Sequence, residues 1–158
     1  MHFPCFDIER ILLLECFKND QELIKNEIES AGINAELIVC SNEISFKESI
    51  YIKKPDIILS DYFTPGFHGF EALAYCKKFY PEIPFIFISS SISEELANET
   101  VIANANAYIF KENIRYLPLI IQLIWSNCLI KGKIKTQGEK IAELNERVYS
   151  LQTKYHYY

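Results

Sequence analysis

The sequence predicts an α/β fold: a doubly wound, five-stranded parallel sheet with helices on both faces, its last helix extended into a coiled coil. Three observations carry this. Strand-like runs and helical patterns alternate five times along the chain, as strands joined by right-handed helical crossovers do. The main strand-like runs are continuously apolar, as strands buried on both faces require. Beyond residue 124 the apolar period changes to seven.

Ile11-Leu12-Leu13-Leu14 is the first strand, ending at Glu15-Cys16. Asn19 then reads as a helix cap, with Glu22 three positions on as its capping-box partner, and Gly32 ends the helix. Residues 35–40 form the second strand. Asn42 starts a short helix to about residue 52, with Ile44, Lys47, Ile50 and Tyr51 near one face, and Lys53-Lys54-Pro55 stops it. Ile57-Ile58-Leu59 is the third strand. It ends in a carboxylate, Asp61, before a turn rich in Pro and Gly. Phe70, Leu73, Ala74 and Lys77 mark a helix over 70–79, and Pro81 and Pro84 bracket the next loop. Phe85-Ile86-Phe87-Ile88 is the most strand-like run of all and ends in Ser89-Ser90-Ser91. A helix over about 93–103 carries Glu94 and Glu95 in its first turn, where they complement the helix dipole. Residues 107–110 make the fifth strand, ending at Lys111, and a final helix starts near Asn113 without a convincing stop.

With 158 residues, 49% of them hydrophobic, the chain can bury one sizeable core and carry one appendage. The net charge of −5 offers no basic surplus for a general nucleic-acid binder. Five scattered Cys without a Cys-x-x-Cys pair argue against a disulfide framework or a zinc site and for a reducing compartment. The N-terminus lacks the pattern of a signal peptide. The apolar stretch over 116–124 is too short to span a bilayer and is interrupted by Gln122. The expectation is a cytoplasmic protein with no nucleic-acid or membrane partner.

In a parallel sheet every strand ends on the same rim, where open α/β sheets carry their chemistry. Here that rim collects Glu15, Asp61, Ser89 and Lys111. Taken singly, Asp61 is as compatible with a solvated loop or a helix cap. Together, hard carboxylate oxygens suit Mg²⁺, a Lys serves an anionic group as a point charge, and a hydroxyl can bond phosphoryl oxygens. The set describes phosphoryl transfer to the Asp61 carboxylate as nucleophile. No Ser-His-Asp arrangement or glycine-rich phosphate loop is visible, His68 reads as an exposed loop residue, and the chain is not expected to be an enzyme.

With those motifs in place, the chain resembles the receiver domain of two-component response regulators over roughly residues 10–124. The resemblance rests on Ile11-Leu12-Leu13-Leu14-Glu15, on Leu59-Ser60-Asp61-Tyr62 with Pro65-Gly66 and Gly69, on Phe87-Ile88-Ser89, and on Tyr108-Ile109-Phe110-Lys111. It implies a flavodoxin-like sheet of strand order 2-1-3-4-5. It also implies phosphorylation of Asp61 by a histidine kinase or phosphotransfer protein. Mg²⁺ would sit on Glu15, Asp61 and the backbone carbonyl of Phe63, with Ser89 as switch hydroxyl, Tyr108 as switch aromatic and Lys111 as phosphate-site lysine. Two departures stand out. Receivers carry two adjacent acids after the first strand, and here Glu15 is followed by Cys16, a soft thiol poorly suited to Mg²⁺. Asp20 lies beyond the loop and does not obviously repair the loss. Residues 103–106, Ala-Asn-Ala-Asn, also lack the Gly often found before the fifth strand, a mild change because Asn tolerates left-handed backbone. The competing reading is therefore a receiver-like scaffold that binds partners without phosphotransfer. A redox role for Cys16 would need a lowered thiol pKa.

The domains are expected at 1–125, the receiver, and 126–158, a helical extension. In the extension Ile134, Ile141, Val148 and Tyr155 recur every seven residues, interleaved with Gln137, Leu144, Leu151 and Tyr158. This a/d seam traces back to Ile130 and Leu123 and predicts a parallel homodimer. Gly132 and Gly138 weaken the helix.

Overall fold

The computed structural model of the chain describes residues 7–90 and 104–154. Among these residues, five strands form one parallel sheet in the order β2-β1-β3-β4-β5. They are β1 (Arg10–Leu14), β2 (Glu36–Cys40), β3 (Ile57–Asp61), β4 (Phe85–Ser89) and β5 (Ala107–Phe110). The helices are α1 (Lys18–Ser30), α2 (Glu43–Lys53), α3 (Gly69–Phe79) and the long α4 (Leu117–Lys154), which a 3-10 segment, Lys111–Tyr116, joins to β5. The helix expected over 93–103 lies outside the described residues.

Every residue of β3 and β4 is buried, which is why those strands read as unbroken apolar runs. Leu12, Leu14, Ile58, Phe85 and Phe87 on one side of the sheet pack with Phe46 and Ile50 of α2 and Ala72, Leu73 and Cys76 of α3. The side chains alternating with them, Ile11, Leu13, Ile57, Leu59, Ile86 and Ile88, are equally buried, as are Ile24 and Ile28 of α1 and Leu117 and Ile121 of α4. β2 lies at an edge and is only partly covered.

Several local expectations need correction. α1 starts one residue before Asn19, with Phe17 at the cap position and no side-chain cap. Glu15 Oε1 instead accepts the Phe17 N–H at 2.9 Å. α2 buries Phe46 and Ile50, while Ile44 and Tyr51 are exposed. α3 turns Ala72, Leu73 and Cys76 inward and leaves Phe70 exposed. Other signals hold. Asn42 Oδ1 accepts the Ser45 N–H at 2.9 Å and caps α2. Asn104 adopts φ +60°, the left-handed backbone for which Asn stands in place of Gly.

The chain divides into two compact units, Met1–Trp125 and Ser126–Tyr158. α4 begins in the first and continues into the second. By length and composition alone, the segment Lys111–Arg147 would suffice to cross a bilayer, so the apolar stretch judged too short belongs to a longer helix. Its first turns nevertheless bury Leu117, Ile121 and Ile124, as the core helix of a globular domain does. In the second unit Ile134, Ile141 and Leu144 of the heptad seam are exposed.

Candidate functional site

Register places the strand tips side by side. Asp61 pairs with Ile88, Ser89 with Phe110, and Leu14 with both Ser60 and Cys40. Glu15 and Lys111 each follow directly on a strand end, so residues far apart in the chain meet at one rim. The Lys111 ammonium bonds Glu15 Oε2 at 2.9 Å and Asp61 Oδ2 at 3.2 Å. Glu15 is fully buried, and the Lys111 side chain is 12% exposed.

A third carboxylate joins them. Asp20, in the first turn of α1, places Oδ2 2.5 Å from the same ammonium. Sequence reasoning set Asp20 aside because it lies beyond the loop, in the first helical turn. The signal that finds it is its place five residues after Glu15, in a helix separated from β1 by only three residues. That turn is tied down by Gln21, whose Nε2 donates to the Glu15 carbonyl at 2.8 Å.

The turn after β3 is set by sterics. Gly66 takes φ +77°, a backbone that favours Gly. At Gly69 a Cβ would come within 2.5 Å of the Asp61 carbonyl oxygen and 2.8 Å of the Phe87 ring, so only Gly lets α3 start this close to β3. The Gly69 N–H donates to the Tyr62 carbonyl at 3.0 Å, and the Phe63 N–H points at Asp61 Oδ1 from 3.4 Å. Both hold the loop against the carboxylate. His68 is exposed, and its N–H donates to Glu71 Oε2 at 2.9 Å.

The electrostatics follow from burial and pairing. Burial pushes the Glu15 carboxyl above its ordinary value; the Lys111 and Phe17 hydrogen bonds act against that, and the Asp61 charge adds to it. Burial pulls the Lys111 ammonium down, but the hydrogen bonds to Asp20 and Glu15 and the Asp61 charge outweigh it, and the net shift is upward. The Cys16 thiol is raised by burial and then by Glu15, the opposite of what a redox-active thiolate needs. Ser89 is buried at the tip of β4. The Tyr108 hydroxyl is also buried and makes no hydrogen bond of ordinary geometry among the described residues. Burial raises its pKa, while the nearby Ser89 hydroxyl lowers it somewhat.

Among the described residues, no three His, Cys, Asp or Glu side chains stand as a ready cation site. The centre of the carboxylate cluster is taken by the ammonium. The donors are nonetheless all hard oxygens gathered around one positive charge, the chemistry that Mg²⁺ selects.

The family model of the response regulator receiver domain matches residues 11–121. This chain belongs to the receiver family. Among curated relatives, the receiver is 29% identical over 99 residues to the response regulator protein VraR of Staphylococcus aureus, covering 60% of this chain. The match spans 47% of that relative, so the chain corresponds to about half of its length. Among solved structures, the signal receiver domain of a LuxO repressor protein from Vibrio parahaemolyticus superposes with a TM-score of 0.72 at 18% identity. That superposition covers 80% of this chain and 97% of the other. The Mn²⁺-bound form of response regulator Rcp1 gives a TM-score of 0.60 at 24% identity, covering 75% and 90%. The expected flavodoxin-like sheet and its strand order are those observed.

Proposed function

We propose that this receiver is phosphorylated on Asp61 by a partner histidine kinase or phosphotransfer protein and signals through its C-terminal helix. The observation that carries the reading is the Lys111 ammonium, 3.2 Å from Asp61 Oδ2 and 2.9 Å from the buried Glu15, brought there by three separate strand ends. In the transfer, an Asp61 carboxylate oxygen attacks the phosphorus of a phosphohistidine. The P–N bond breaks as the P–O bond of an acyl phosphate forms, and the imidazole leaves, protonated by solvent. Lys111 neutralises the growing charge on the aspartyl group. The Ser89 hydroxyl takes the role of bonding the added phosphoryl oxygens, and Tyr108 that of the aromatic responding to it. Mg²⁺ on Glu15, Asp61 and the Phe63 carbonyl would supply countercharge for the transferring group. The Mn²⁺ held by a relative of the same fold supports a divalent ion here.

The exposed Ile134, Ile141 and Leu144 support self-association of α4 as a parallel dimer. The protein is placed in the cytoplasm, where its phosphodonors reside. Incubation with phosphoramidate and Mg²⁺ tests the central claim. A mass gain of one phosphoryl group, lost in Asp61→Asn, is expected. A folded wild-type chain that gains none leaves the partner-binding scaffold as the reading.

A further inference from the structure

The heptad seam of α4 is flanked by cations that a second copy of this chain leaves unanswered. We infer that the outer part of α4 pairs with a partner helix carrying acidic residues along its own seam, in a mixed coiled coil. The inference rests on the seam through which two copies were proposed to associate, and not on the phosphoacceptor reading. With Ile134 and Ile141 at a, and Ile130 and Leu144 at d, the e and g positions beside the seam are Lys131, Lys133, Gly138, Lys140, Asn145 and Arg147. Four are cations and none is an acid. The acids of the same stretch, Glu139, Glu143 and Glu146, fall at f, c and f, on the outer face. Seam and flanks are alike exposed.

Coiled coils choose their partners at these flanks, where a g residue of one helix meets the e residue of the next heptad on the other. In a parallel pair of copies, Lys131 meets Ser126, Lys133 meets Gly138 and Lys140 meets Asn145. None of these is a pair of opposite charges, so like charges line both flanks with nothing to offset them. Within the chain Lys140 reaches Glu143 Oε2 at 3.3 Å, while among the described residues Lys131, Lys133 and Arg147 form no ion pair. A helix with Glu at e and g would answer all four cations, relieve the repulsion and fill the same apolar seam. The narrow, heptad-spaced stripe favours a helix as occupant over a lipid surface, which takes a broader apolar face. Residues 126–158 hold six Lys or Arg against three Glu in a chain of net charge −5, so the extension is its basic part and fits an acidic partner.

Fluorescence anisotropy of labelled helical peptides, titrated with the full chain, tests this. The peptides match the seam in length, with Ile at a and Leu at d, and carry either Glu or Lys at every e and g position. The Glu peptide is expected to bind about tenfold or more tightly than the Lys peptide. It should lose most of that advantage at about 0.5 M salt, and sediment with the chain as a one-to-one complex in place of two paired copies. Replacing the four cations together (Lys131→Glu, Lys133→Glu, Lys140→Glu and Arg147→Glu), with helix content confirmed by circular dichroism, is expected to reverse the preference. Equal affinity for the two peptides overturns the inference. So does equal affinity for a Glu peptide whose a and d residues are scrambled, because the cations would then act as charge alone. Paired copies that persist in excess Glu peptide also overturn it and leave the second copy as occupant. Binding to phosphatidylserine vesicles but to neither peptide overturns it in favour of a membrane surface. A chain that takes the Glu peptide yet gains no phosphoryl group from phosphoramidate upholds it, and removes the phosphoacceptor reading alone.

Discussion

Glu15 is costly to keep. It has no exposed surface, and burial raises its pKa above 4.5 despite the hydrogen bonds from Lys111 and the Phe17 N–H. A raised carboxyl pKa means the folded chain holds that proton more tightly than the unfolded chain. The stability it contributes is full below pH 4.5 and is lost as pH rises through the folded value. In metal-free buffer, the stability of wild type relative to Glu15→Gln should therefore fall as pH is raised from below 4.5 towards neutrality, read from urea midpoints. A relative stability that rises over the same range would show that the Lys111 bond outweighs burial. Residues such as Glu15, Asp61 and Lys111 were legible in the sequence because a strand end fixes a side chain's address without knowledge of any contact. Asp20 was harder to read: its place five residues after Glu15 is its one trace in the sequence, and its bond to Lys111 depends on how the first turn of α1 leans over the rim.

The same division holds for whole elements. β3 and β4 were legible because both faces are buried and only one reading fits. The faces of α2 and α3 were not, because each helix offers apolar residues on more than one side. Ile44 and Tyr51 match helical spacing as well as Phe46 does, and only the neighbouring sheet selects between them. The outer part of α4 is the reverse case, where the sequence pattern is strong and the local propensity is weak. Gly132 and Gly138 sit in open space, where an added Cβ meets nothing within 4 Å, and neither falls on the a/d seam. Replacing both by Ala should stabilise the helix by about 1 kcal/mol per site. Circular dichroism at 222 nm should show more helix and a later thermal loss of it. An unchanged spectrum would mean that neighbouring residues already hold both positions fully helical.

At the scale of the molecule, the division at Trp125 separates the rim cluster from the heptad seam. All five strands, Glu15, Asp20, Asp61, Ser89 and Lys111 belong to the first unit, and so do the α4 residues Leu117, Ile121 and Ile124 that complete its core. The second unit carries the exposed Ile134, Ile141 and Leu144 and no member of the rim cluster. A helix of that kind gains little from burial within its own chain, and in the proposed dimer a second copy would cover the seam. A chain ending at Trp125 should therefore keep its Mg²⁺ affinity and its reaction with phosphoramidate while sedimenting as a monomer, whereas the full chain sediments as a dimer. The two properties are argued from different residues and should fail separately. A truncated chain that folds but no longer takes a phosphoryl group would mean that the extension acts on the rim rather than merely pairing two copies of it.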